Sequence, residues 1–170
     1  MIQATDQSVH GDGYDCFEAG PLESWTRFKL TPPDSPMPVR GKYFLRKLLN
    51  SDGLEMSVNV LPAGREMPFV HRHQANDEIY FVIQGRGQFQ AGEELIEVSD
   101  GFFIRLSPEV PRVWRNHSEE PLYYLVIQYR ADSSVTGGTL DGERLEQHPI
   151  VWKESPADEP APGSETTLPE

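Results

Sequence analysis

The chain has one cysteine, Cys16, among 170 residues. That excludes an internal disulfide framework and fits a reducing compartment. It has no uninterrupted apolar run near the roughly 18–20 residues that a membrane span requires. The opening residues MIQATDQSVHGDGYD lack both a basic start and an apolar stretch, so no secretory signal is expected and the protein is read as soluble and cytoplasmic. Basic residues are scarce, 15 against 27 acidic ones, for a net charge of −12. A non-specific nucleic-acid binder needs a basic face to replace counterions, so nucleic acid is not an expected partner. Sustained helical periodicity is missing, and so is any internal repeat.

The ends differ in composition from the middle. From Lys153 the chain reads KESPADEPAPGSETTLPE, with five acids and one lysine, a net charge of −4. Such a segment buries too little apolar surface to offset its ordering entropy, and a mobile acidic tail is expected over 153–170. Residues 133–152 are read as an extension, and residues 1–41 as an N-terminal arm. The arm contains a turn or polyproline stretch, Thr31-Pro32-Pro33-Asp34-Ser35-Pro36-Met37-Pro38, which excludes a helix interior there. Phe17, Trp25 and Phe28 are too many large apolar groups for a free linker. The arm is therefore expected to lie over the domain or over a neighbouring subunit.

Between about Lys42 and Arg130 the pattern changes to short β-runs divided by turn residues. Leu54, Met56, Val58 and Val60 alternate with Glu55, Ser57 and Asn59, the period of a half-buried strand. Further runs follow at 78–84, 87–90, 95–98, 102–106, 112–116 and 122–129, with Gly85-Arg86-Gly87 read as a hairpin turn. This pattern predicts an all-β sandwich or barrel over 42–132. If Glu78 points inward, Tyr80 and Val82 share its face, while Ile79, Phe81 and Ile83 point outward. So apolar an outer face needs a cover, from the arm, a second sheet or a second copy of the chain. A homodimer is one expectation.

The sharpest chemical signal is Gly64-REMPFV-His71-Arg-His73-QAND-Glu78-IYFVIQ-Gly85. Residues two apart in an extended strand share a face, so His71 and His73 present both imidazoles to one point. The four-residue connection lets the chain turn and place the Glu78 carboxylate opposite them. Two imidazoles and a carboxylate can occupy one face of a divalent metal's shell and leave positions open, a set that suits Fe, Mn, Ni or Zn. Tyr80, on the same face as Glu78, is a candidate donor or catalytic acid. Asp77 points the other way and is expected at a turn or rim.

These residues resemble the first motif of the cupin superfamily, G-x5-H-x-H-x3,4-E-x6-G, with one extra residue between Gly64 and His71. The second motif, G-x5-P-x-G-x2-H-x3-N, is matched in part by Gly101 and Asn116. Ser107 and Glu109 replace its proline and second glycine, and Arg112 stands in the slot of its histidine, normally the fourth metal ligand. The resemblance implies a jelly-roll β-barrel with the ligands in its interior. A guanidinium offers only donors and stays charged, so Arg112 cannot ligate a cation. Two readings follow. Either the metal is held by His71, His73 and Glu78 while Arg112 grips an anionic substrate, or Arg112 pairs with Glu78 in a metal-free pocket. Strand alternation turns His117 outward, away from the ligand face. Trp114 is expected either to wall the pocket or to fill the interior.

The resemblance spans many reactions, so fold alone does not select one. The expected function is a metal site acting on a small anionic metabolite, a carboxylate or a sugar phosphate, by oxygenase-type or isomerase-type chemistry. The alternatives are a non-catalytic binding or sensing module and a purely structural subunit.

Overall fold

The segments of period two form strands within a residue or two of their expected limits. The computed structural model describes residues 8–31, 38–133, 142–147 and 149–152. The arm supplies β1 (Ser8–His10), β2 (Asp15–Phe17), β3 (Lys29–Leu30) and β4 (Val39–Arg40). Then come β5 (Lys42–Phe44), β6 (Glu55–Leu61), β7 (Asn76–Gln84), β8 (Gly87–Ala91), β9 (Glu94–Val98), β10 (Phe103–Leu106), β11 (Arg112–Arg115) and β12 (Leu122–Arg130). A single 3-10 turn, Leu22–Arg27, is the helical element among the described residues.

The main strands form two antiparallel sheets. One has five strands in the order β10-β7-β12-β6-β5, the other three in the order β11-β8-β9. A core lies between them, with Tyr80, Val82, Leu106, Leu122, Tyr124 and Val126 from the first sheet and Phe89, Val98 and Trp114 from the second. Each fully buried large side chain contributes about 1.5–3 kcal/mol. This topology is consistent with the jelly-roll arrangement. The expected closed barrel is corrected in one respect: among the described residues, no strand ladder joins the two sheets. Instead, single bridges at Glu66–Arg115 and His71–Arg112 stitch residues 66–71 to the edge strand β11.

The Gly85-Arg86-Gly87 turn is not a hairpin, because β7 and β8 belong to different sheets. Gly85 has a φ of +108°, and a Cβ there would lie 2.5 Å from the Pro121 carbonyl oxygen. Only glycine takes that conformation at that distance, and it carries the chain across from one sheet to the other.

Part of the apolar outer face is covered by the arm. Trp25 and Phe28 bury themselves with Val58, Val60 and Tyr123, and Phe17, Ile83 and Leu125 pack against the same cluster. Further along, Phe81 and Phe103 stack at 4.2 Å, with Phe103 exposed.

The chain divides into two compact units, Met1–Ser134 and Val135–Glu170. The described residues of the second form neither helix nor strand. The expected acidic tail, residues 32–37 of the proline stretch and His148 lie outside the described residues. Among those described, no helix is long and apolar enough to cross a membrane.

Candidate metal centre

Backbone hydrogen bonds fix the two histidines before any side chain is considered. The His71 N–H donates to the Arg112 carbonyl at 3.0 Å, and the Arg112 N–H returns a bond to the His71 carbonyl at 2.8 Å. The His73 N–H donates to the Pro108 carbonyl at 2.9 Å. The H-x-H segment thus lies along β11 and the turn preceding it. Its rings sit 5.5 Å apart and nearly perpendicular, each about a quarter exposed.

Glu78 faces them from β7, where it is paired with Leu106 of β10 and Gln128 of β12. Its side chain is buried. Potential ligand atoms of His71, His73 and Glu78 all lie within 4.8 Å of one another. His73 Nε2 is 3.0 Å from Glu78 Oε1, and His71 Nε2 is 4.0 Å from Oε2. The structure therefore brings together the three residues expected as ligands.

The carboxylate is held from several sides. Tyr80 donates its hydroxyl proton to Glu78 Oε2 at 2.7 Å, and Gln128 Nε2 donates to Oε1 at 2.9 Å. Burial first, and then the neighbouring Glu78 carboxylate, raise the Tyr80 phenol far above the usual tyrosine range. Tyr80 therefore stays protonated and acts as a fixed donor to Glu78. Burial also holds the His71 imidazole below the usual histidine range, opposed by Glu78 and aided by the charges of His73, Arg112 and Lys42. A neutral imidazole is the form that ligates metal.

Arg112 is fully buried. Its Nη2 donates to the carbonyls of Ser107 at 2.9 Å and Leu106 at 3.3 Å, and Nη1 to that of Pro108 at 3.4 Å. Its Nε lies 3.5 Å from Glu78 Oε2. The donors with which a guanidinium would grip an anion are thus directed at main-chain carbonyls, and its remaining edge faces Glu78. Of the two sequence-based readings, contact with Glu78 is the arrangement observed.

Trp114 fills the interior. It stacks on Phe89 at 5.4 Å, donates from Nε1 to the Tyr124 hydroxyl at 3.0 Å, and meets His71 edge-on at 5.8 Å. His117 is partly exposed beside Glu97, as strand alternation requires. Asp77 is corrected: it is neither turn nor rim but a buried strand residue. Its Oδ2 accepts from Arg105 Nη2 at 2.7 Å and Nε at 3.1 Å, on the face opposite Glu78. Gln128 was missed in the sequence. Its signal was a polar residue closing the inward series Leu122, Tyr124, Val126, directly across from Glu78.

Whether these residues suit a metal can be judged from their own bonding. His71 Nδ1 is buried without a hydrogen-bond partner, an arrangement that costs free energy unless something else engages that nitrogen, and His73 Nε2 is directed at the Glu78 carboxylate, 3.0 Å away. The donor set of two imidazoles and one carboxylate is one that divalent transition metals accept. The residues fit.

A family model described as "Cupin domain" matches residues 57–128. An uncharacterised protein of Methanocaldococcus jannaschii is 30% identical over 90 residues, covering 50% of this chain and 71% of the relative. The crystal structure of a cupin protein from Bacteroides fragilis is 33% identical, with a TM-score of 0.59, covering 68% of this chain and 99% of that one.

Proposed function

This chain belongs to the cupin superfamily, and we propose that it is a metal-binding member that acts on a small anionic metabolite. The carrying observation is the convergence of His71, His73 and Glu78. These three would hold a divalent ion, Fe, Mn, Ni or Zn, which when bound supplies Lewis acidity or redox chemistry of the oxygenase or isomerase type. Tyr80 and Arg112 act through Glu78 as positioning residues. Tyr80 fixes one carboxylate oxygen by hydrogen bond. Arg112 sets charge beside it and ties down residues 106–108. The division into an arm (1–41), a β-domain (42–132) with jelly-roll closure and a C-terminal extension belongs to the same proposal, as does a cytoplasmic location. So does a homodimer, for which the Phe81–Phe103 stack supplies an apolar outer patch.

Elemental analysis of the full chain, purified and then incubated with Fe(II), Mn(II), Ni(II) and Zn(II), tests the reading. About one ion per chain is expected, and none after any incubation would overturn it. The 3.5 Å approach of Arg112 to Glu78 favours one second reading, a metal-free binding module in which the guanidinium neutralises the carboxylate. Arg112→His separates the two. If the site binds metal, the added imidazole and lost positive charge should tighten affinity about tenfold or more. The melting temperature of the metal-free variant should fall, because the carbonyls of Leu106, Ser107 and Pro108 lose donors that contribute about 1–3 kcal/mol. No detectable metal binding by the wild type, with binding gained only in Arg112→His or in neither, would favour the metal-free module.

A further inference from the structure

Lys42 opens β5 and is paired with Asn59 of β6. Asn59 lies across from Tyr124 of β12, which lies across from Val82 of β7. Cross-strand partners share a face of the sheet, and Val82 shares its face with Glu78. Lys42 therefore looks into the same interior as the ligand cluster. Asn59 and Ser57 are both buried on this inner face. The Asn59 amide nitrogen donates to the Ser57 carbonyl at 2.9 Å and to Ser57 Oγ at 3.0 Å. That pins the amide so that its oxygen accepts from Lys42 Nζ at 3.1 Å.

An ammonium has three protons. Among the described residues Asn59 Oδ1 is the one hydrogen-bond acceptor that Lys42 Nζ reaches, with the Phe44 ring 4.9 Å away. No carboxylate of the described residues lies within ion-pair distance of it. A cation placed this way is a poor choice for packing, since an apolar side chain of similar volume would fill the space without desolvating a charge. Burial pulls the ammonium below the usual lysine range, with the Glu78 and Glu55 carboxylates pulling it back up. Arg112, a fully buried inner-face cation, spends its donors on carbonyls, whereas Lys42 is half-buried and does not.

We propose that Lys42, oriented by Asn59, is an anion-receiving subsite that takes the carboxylate of a small organic acid whose other end faces His71, His73 and Glu78. The inference rests on the small-anion reading above and assigns its recognition residue. One ammonium beside one neutral amide matches a monoanionic carboxylate. A phosphate dianion is normally met by several donors, an arginine fork or a helix N-terminus. At a net charge of −12 the protein repels anions at long range, so attraction has to be local to the interior.

Calorimetric titration of the full chain tests this, with acetate, lactate, succinate and inorganic phosphate as probes, in metal-loaded and chelator-treated forms. At least one carboxylate should bind the wild type. Lys42→Met should weaken it about tenfold or more, the loss of one charge-assisted bond, with melting cooperativity and metal content kept. Lys42→Arg should retain most of the affinity. Asn59→Asp, which leaves Lys42 in place but pairs it, should also weaken the probe. Equal binding by Lys42→Met, no carboxylate binding to either wild-type form, or tighter binding of phosphate would each overturn the assignment. Metal content is read separately, so a wild type without metal removes the metal site and leaves the Lys42 result to stand or fall by itself.

Discussion

Glu78→Ala should lose both metal and stability. The carboxylate accepts bonds from Tyr80 and Gln128 and faces Arg112 at 3.5 Å, all within the buried interior. Removing it strands a guanidinium that has no route to water, since Arg112 is fully buried. Breaking a buried charge pair from one side costs about 3–5 kcal/mol, which for a domain of this size lowers the melting temperature by roughly 10–20 °C. Glu78→Gln should fall between, keeping shape and one of the two accepted hydrogen bonds while giving up the charge. Differential scanning calorimetry on metal-free protein reads the effect. A melting temperature within about 2 °C of wild type would mean that the carboxylate does not balance Arg112.

His73→Ala should separate the two losses. The ring is a quarter exposed, and among the described residues its one polar contact is with Glu78 Oε1, 3.0 Å from Nε2. Its removal leaves Glu78 with Tyr80, Gln128 and Arg112. Stability should change by about 1 kcal/mol or less, while metal content after loading and desalting drops to background. Metal content equal to wild type would dismiss His73 as a ligand. Together the two variants distinguish a residue that only holds the ion from one that also balances the interior.

Much of this was legible in the sequence because strand parity is a strict code. Once Glu78 is placed inward, Tyr80 must follow it and Phe81 cannot, and the structure agrees. The H-x-H spacing carried equal weight for the same reason. What the sequence hid depended on pairing between distant segments. Gln128 reaches Glu78 only because β12 lies beside β7, and Lys42 meets Asn59 only through the β5–β6 register. Arg112 was legible as a departure from a motif, but the destination of its donors was set by the Leu106–Pro108 turn. Gly85 was recognised as a turn residue. Its positive φ and the crowding against Pro121, which send the chain to another sheet, are tertiary facts.

Asp77 and Glu78 stand side by side in β7, one bound by Arg105 on one face and the other set against Arg112 on the opposite face. A strand that slips by one residue exchanges its two faces. In this strand such a slip would swing Glu78 out toward Arg105 and bring the shorter aspartate inward, where it would reach neither Gln128 nor the imidazoles. The slip is penalised by that shorter reach and by the exchange of Tyr80 and Val82 for Ile79 and Phe81 on the inner face. An acid faces an arginine in either register, so length rather than charge marks the alignment of the strand that carries the ligand.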